Sequence, residues 1–366
     1  KTWRKLNGVM CLATQSASDV LDSPISRTII EQTPTKILFP NPDANEAENV
    51  EGLGLSEREF KLLKEQLEPG SRQFLIKQGH YSVVCQLDLK GFDAELKVIS
   101  GRASTVEELH LLARLVRGLG SENVDFRTRQ VDFSADALRE GIPWLGMPVA
   151  EVESLDRLLL VGSTLRKDHP LFAARVRKAA KAGAQVSIVH AADDDLLMPL
   201  AARVVVAPSR WAQALGEVLA ALRDDAGATD AARAVAASLR SGEKRAVLVG
   251  NEALHHPQAA QLVALAREIA EAVSARFGVI GDSANAIGGY VAGAVPRNGG
   301  LNAAQMFEQP RSLYLLLNVE PALDVARPGI ALDALSKAES VVALTAYRSA
   351  ELLEYADCLL PIAPLP

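Results

Sequence analysis

Residues 155–191 read LDRLLLVGSTLRKDHPLFAARVRKAAKAGAQVSIVHA. Leu158–Val161 is a short apolar run ending at Gly162, the form of a buried parallel strand. Pro170 predicts the first turn of a helix, where a missing N–H costs nothing. Leu171, Ala174 and Val176 are expected along one side of that helix, with Arg175, Arg177, Lys178 and Lys181 largely on the other. Gly183 stops the helix, and Gln185–Val189 supplies the next strand. The stretch is therefore a βαβ unit.

Working outward, the unit repeats. VGSTLRKDHP and VGNEALHHP share a strand, a glycine, a small polar residue, a short loop and His-Pro at a helix start. A third version is SLYLLLNVEP, with Asn318 in the small-polar position. Repetition of this kind argues for an α/β fold: a parallel, doubly wound sheet with helices on both faces. Strands are expected at Val204–Val206, Ala246–Gly250, Phe277–Gly281, Ser340–Ala346 and Cys358–Pro361. Helices are expected at Trp211–Arg223, Asp230–Leu239 and Ser349–Tyr355.

The βα turns present N–H groups at helix N-termini, which suits a phosphate or nucleotide. Gly162, Ser163, His169, Gly250 and Asn251 are the candidate cofactor contacts, read as vestigial. His169 and His256 read more simply as helix-start residues bonded to backbone. Asp193-Asp194-Asp195 reads as a solvated turn, since consecutive side chains diverge. Trp144 reads as an aromatic anchor packing onto the next domain. Gly281–Gly300 is a glycine-rich stretch that would face a cofactor in a catalytic relative, or simply form a tight loop. No catalytic residue and no metal ligand is singled out.

At 366 residues, two or three domains are expected. A net charge of −6 gives no basic face for nucleic acid. Cys11, Cys85 and Cys358 form no CxxC pair and fall short of the four thiolates that an iron–sulfur cluster or structural zinc usually needs. A reducing compartment is the default. No apolar run approaches the ~18–20 residues that cross a bilayer. The first residue is Lys1 and the last run is LLPIAPLP, so both ends read as cut. Alanine supplies 6 of residues 1–103 but 51 of residues 104–366, a compositional break near Ala103.

Before that break, Val9–Thr14 and Lys36–Phe39 read as strands, with a helix from Ser23-Pro24 through Glu31. Ser56 and Glu59 form a capping box for a helix over Glu57–Leu67. Gln73–Lys77 and Val83–Leu89 read as a hairpin around Gly79-His80. After the break, Ser104 with Glu107 predicts a second capping box.

Two resemblances lie on either side of the break. ATQSASDVLDSPISRTIIEQTPTKILFPNP with GLGLSEREFKLLKEQLEPGSRQFLIKQGHYSVVCQLDLKGFDAELKVISGR, within residues 1–103, resembles the C-terminal end of the ATPases that power type IV secretion and conjugative transfer. The resemblance implies a partial RecA-like α/β segment, ATPase subunits and secretion-channel proteins as partners, Gln15 beside a γ-phosphate, and Arg27 or Arg102 as surface residues or contacts to a neighbour's nucleotide. Yet the chain contains no G-x-x-x-x-G-K-[ST], so it has no cradle for ATP.

VGSTLRKDHPLFAARVRKAAKAGAQV, GDSANAIGGYVAGAVPRN and TAYRSAELLEYADCLLPIAPLP, within residues 104–366, resemble the C-terminal part of the molybdopterin-oxidoreductase-like subunit of bacterial NADH–quinone oxidoreductase (respiratory complex I). That resemblance implies a structural role on the cytoplasmic side of the inner membrane, with the other peripheral-arm subunits as partners. The cysteines that hold the family's iron–sulfur clusters are not in this sequence, and molybdopterin is not expected to bind. Three readings stay open: a complex I scaffold fragment, a catalytically incomplete secretion ATPase component, and a molybdopterin-dependent oxidoreductase.

Overall fold

The computed structural model describes residues 14, 16–69, 71, 73–86, 96–101, 104–138, 141–224, 227–281, 283–310 and 312–363. The expected strand at 9–14 (Thr14 apart), Gln15, Arg102 and the end of the strand at 87–89 lie outside these residues. The chain divides into two units, residues 1–93 and 94–366.

In the first unit, α1 (Ala17–Leu21), α2 (Ser26–Gln32), α3 (Glu57–Lys61) and a wider helical turn (Leu62–Gln66) accompany a three-stranded antiparallel sheet. Its strands are β1 (Thr35–Leu38), β2 (Gln73–Gln78) and β3 (Tyr81–Gln86), in that order. The expected capping box forms, with the Ser56 hydroxyl accepting the Glu59 N–H and the Glu59 carboxylate accepting the Ser56 N–H. Leu55, Leu63, Leu67 and Leu75 make the small core.

The second unit holds two five-stranded sheets, and every pairing in both is parallel. The strands are β4 (Leu96–Ser100), β5 (Val124–Asp125), β6 (Arg157–Val161), β7 (Gln185–His190), β8 (Ala202–Val205), β9 (Arg245–Val249), β10 (Arg276–Val279), β11 (Leu313–Leu317), β12 (Ser340–Thr345) and β13 (Cys358–Pro361). One sheet runs β10-β9-β6-β7-β8, the other β13-β12-β11-β4-β5. In each, strand order reverses beside the first strand, at β6/β9 and at β4/β11, as in doubly wound folds.

The helices between these strands are α4 (Val106–Gly118), α5 (Leu165–Asp168), α6 (Pro170–Lys181), α7 (Trp211–Leu222), α8 (Asp230–Arg240), α9 (Asn251–Leu254), α10 (Ala259–Ala272), α11 (Gly288–Val291), α12 (Ala303–Glu308), α13 (Pro321–Asp324), α14 (Pro328–Ser336) and α15 (Leu352–Tyr355). The first sheet is sandwiched between two cores. Leu159, Val161, Val189, Val247 and Val249 face α7, α8 and α10 on one side. Leu158, Leu160, Val186, Ile188, Ala246 and Leu248 face α6 on the other. Continuous Leu/Val/Ile runs are what a strand covered on both faces requires.

Four expectations change. The strand LKVIS, which falls in the ATPase-like stretch, pairs with β11 and β5 inside the second sheet, so the units part at 93/94 rather than at 103/104. The capping box of α4 is built by Thr105 and Glu108, not Ser104 and Glu107, because Ser104 is buried against the Ser100 hydroxyl at 3.1 Å. In α6, Ala173, Val176, Ala179 and Ala180 are buried while Leu171 and Ala174 point outward, so the apolar stripe is rotated from the expected one. Trp144 is 52% exposed, and its tie is main-chain, its carbonyl accepting the Val279 N–H at 2.8 Å.

Candidate functional site

In doubly wound sheets a ligand crevice opens at the carboxyl ends of the strands, where the order reverses. At β6/β9 that place is occupied by the two expected turns. The Gly250 N–H donates to the Val161 carbonyl at 2.8 Å. The N–H groups of Glu252 and Ala253 donate to the Gly162 carbonyl at 3.1 and 3.3 Å. The structure therefore brings Gly162, Ser163, Gly250 and Asn251 together, but these helix-start N–H groups are spent between the two turns. Gly162 adopts φ +54°, and a Cβ on it would stand 2.8 Å from Ala253 and 2.9 Å from the Trp211 ring. A Cβ on Gly250 would stand 2.4 Å from that of Ser163.

Side chains close the rest. Thr164 and Asn251 both donate to the Asp168 carboxylate, the latter at 2.8 Å. That bond fixes the Asn251 amide with its nitrogen toward Asp168 and its oxygen buried without a partner. His169 does not cap α6 locally. Its Nε2–H donates to the Gly281 carbonyl at 2.5 Å, tying the turn to the glycine-rich stretch and leaving Nδ1 as an unpartnered acceptor. Ser163 Oγ is likewise buried and unpartnered.

Three aromatic rings that sequence reasoning missed stand beneath these turns. Trp211 is 1% exposed, with its Nε1–H unpartnered. His190, at the end of β7, stacks on it with centroids 6.4 Å apart, and His256 lies 5.7 Å away on a tilt. His190 Nε2 stands 3.0 Å from the Glu252 carboxylate, close but poorly aligned for a hydrogen bond. His256 Nδ1 accepts the Gln258 N–H at 3.0 Å, so it does serve its own helix start. Asp132 then caps α10 by accepting the Ala260 N–H at 2.8 Å. Burial pushes the Asp132 carboxyl up, but bonds from Ser134 and Ala260 and the nearby His256 outweigh it and hold the carboxyl below its ordinary value. The available signal for His190 was its place at the carboxyl end of a buried strand.

The space left between Ser163, His190, Asp194 and Leu196 has room for about one water molecule. It is lined by acceptors and carboxylates. A phosphate-bearing pterin nucleotide, the group the fold implies, does not fit these residues: its donors are spent and its neighbours Asp168 and Glu252 are acidic. The Asp193–Asp195 carboxylates diverge, Asp193 pairing with Arg203 and Asp195 accepting the Leu197 N–H at 2.8 Å.

The second reversal point is closed more tightly. The Gly101 N–H donates to the Leu317 carbonyl at 2.7 Å, and Asn318, at φ +49°, places its carbonyl 1.8 Å from where a Gly101 Cβ would be. In the first unit Arg27 is on the surface, bonded to Glu31 one helical turn away at 2.9 Å.

Among the described residues, no helix is long and apolar enough to cross a membrane. Curated relatives cover about a third of the chain. The type IV secretion system protein virB4 of Bartonella quintana is 47% identical over 122 residues, 33% of this chain and 15% of that protein. Protein virB4 of Rhizobium radiobacter is 42% identical over 105 residues, 29% of this chain and 13% of that protein. The chain thus spans about a seventh of the length of these relatives. Among solved structures, the formyltransferase/hydrolase complex FhcABCD of Methylorubrum extorquens, determined with methylofuran, superposes with a TM-score of 0.52 at 18% identity, covering 73% of this chain and 79% of that one. The likeness is one of fold. The family model for molybdopterin oxidoreductase matches residues 88–365, so the doubly wound sheets, the repeated βα turns and the shared fold have a common source. The chain belongs to the molybdopterin oxidoreductase family.

Proposed function

We propose that this chain is a scaffold member of its family, a piece that packs within the peripheral arm of an NADH–quinone oxidoreductase (complex I) at the cytoplasmic side of the inner membrane. The observation that carries the reading is the closed crevice at β6/β9, where Trp211 and the Gly162 carbonyl occupy the ground a cofactor would need. The protein's own residues there hold two turns and three rings in place, and the chain carries no electrons alone. The test is co-purification of the full chain with the other peripheral-arm subunits. Their recovery in stoichiometric amount, with no NADH oxidation by the chain alone, is expected. Their clean absence, or one molybdenum per chain by elemental analysis, would overturn the reading.

A second reading is favoured by one observation, the 42–47% identity to virB4 proteins over about a third of the chain. On that reading the first unit docks onto secretion ATPase subunits, and the missing phosphate cradle leaves it unable to turn over ATP. ATP hydrolysis by the purified chain would establish a catalytic version of this reading and remove the scaffold proposal.

A further inference from the structure

The β13-β12-β11-β4-β5 sheet is covered on only one face along half its width. Register places Leu315, Val342 and Cys358 in one row, and Leu317, Leu344 and Leu360 in the next. In parallel strands each row shares a face. On this face Leu313, Leu315, Val342 and Leu344 remain partly exposed, Leu360 is 45% exposed and Cys358 is exposed. On the opposite face Tyr314, Leu316 and Val341 are fully buried under α12, α14 and α15. Parallel strands ordinarily carry helices on both faces.

α4 covers only the β4 side of the open face, through Leu109, Leu112 and Val116. One flank of α4 is taken: Arg117 donates to the carbonyls of Gly293 and Val295. Rotation of about 100° per residue sets Leu111 and Leu115 on the other flank, toward the bare strands. They are 63% and 49% exposed. Floor and flank meet as an apolar corner with no charged side chain in either.

We infer that this corner is a self-association surface, covered by a second copy of the chain that lays its own bare rows face to face on the first. A two-fold axis runs between the two β12 strands, and each β13 edge enters the corner beside the partner's α4. Facing sheets stand about 10 Å apart, the height at which a covering helix sits, so the incoming edge strand meets the α4 flank at its own level. The charge pattern fits this occupant: neither copy brings an ion to be desolvated, and one patch serves both sides as a two-fold interface requires. The rows span roughly 17 Å by 14 Å, so with the α4 flank each copy buries on the order of 500 Å². That is below the ~800 Å² per partner of a standard interface, so the dimer exchanges freely and forms at tens of micromolar.

The experiment is sedimentation velocity of the full chain over a concentration series, with maleimide labelling of Cys358 read by peptide mass spectrometry. A monomer–dimer equilibrium is expected, with Cys358 labelling slowing several-fold as dimer accumulates. Leu111→Glu and Leu360→Glu, both at exposed positions, should each weaken the dimer at least tenfold. Leu171→Glu, at an exposed position on α6, should leave it unchanged. A chain monomeric throughout overturns the proposal, as does Cys358 labelling independent of concentration or a dimer indifferent to all three substitutions. Capture of a helix from another protein by the monomer, with no self-association, also overturns it.

Discussion

The Trp211 indole lies against Gly162 so closely that a Cβ on the glycine would come within 2.9 Å of the ring. This one contact couples the β6 turn to α7 and accounts for the closed crevice. Gly162→Ala meets two penalties, the left-handed φ of +54° and overlap with both Trp211 and Ala253. Together they are expected to cost about 2–4 kcal/mol, read as a lower urea midpoint with an unchanged slope.

Trp211→Ala tests the same coupling from the other side. Removal of a fully buried indole is expected to cost about 3–5 kcal/mol. It also opens space between His190 and His256. If the crevice is closed by packing rather than by the turns themselves, the variant gains a void that takes up a small apolar probe such as xenon, whereas the parent takes up none.

The doubly wound fold was legible because Leu158–Val161, Ala246–Val249 and Leu313–Leu317 are apolar on both faces and recur with the same glycine or asparagine after them. Each such pattern depends on neighbours in sequence. The seam was not legible for the opposite reason. LKVIS resembles its ATPase-like surroundings residue by residue, while its pairing with β11 depends on residues more than 200 positions away. The rotated stripe of α6 has the same origin: Leu171 looks like a core residue locally, yet the small Ala173, Ala179 and Ala180 let the helix approach the sheet. His190, Trp211 and His256 come together only in three dimensions. Arg27 lay at an exposed helical position in either reading.

Lys97 reports directly on where the seam falls. Its ammonium is fully buried and donates to the carbonyls of Met306, at 3.0 Å, and Gln309. Lys97→Met keeps the stem but leaves both carbonyls short of a donor, a loss of about 1–3 kcal/mol. Peptide-resolved hydrogen exchange should show faster opening across β11 and α12, with β1–β3 unaffected. An effect confined to the first unit would return β4 to it.

Arg127 holds the β5 edge. It is 4% exposed and bonded to Asp125 at 2.8 and 2.9 Å and to Asp136 at 2.6 Å. Burial opposes its charge, but Asp125 outweighs burial and keeps the guanidinium protonated at any working pH. Arg127→Gln strands two carboxylates, one fully buried, and is expected to cost about 3–5 kcal/mol. Asp125→Asn in the same chain should recover part of the loss, a coupling that a double-mutant cycle measures.

Acid should loosen the first unit through Glu59. Its carboxylate accepts the Lys77 ammonium at 2.9 Å on both oxygens and the Ser56 N–H at 2.7 Å. Burial pushes the carboxyl up, but Ser56, Lys77 and Ser82 outweigh it and bring it from 4.5 down to about 2. A pKa lower in the folded state stabilises the fold above about 4.5, and that stabilisation is lost as pH falls toward 2. The contribution at neutral pH is about 2 kcal/mol, discounted for partial solvent contact. Hydrogen exchange over residues 73–78 should therefore quicken between pH 4.5 and 2 beyond the intrinsic rate change. Glu59→Gln should exchange faster than the parent at neutral pH and equally at pH 2. A constant offset between the two at every pH would show that Glu59 acts through shape alone and not through its charge.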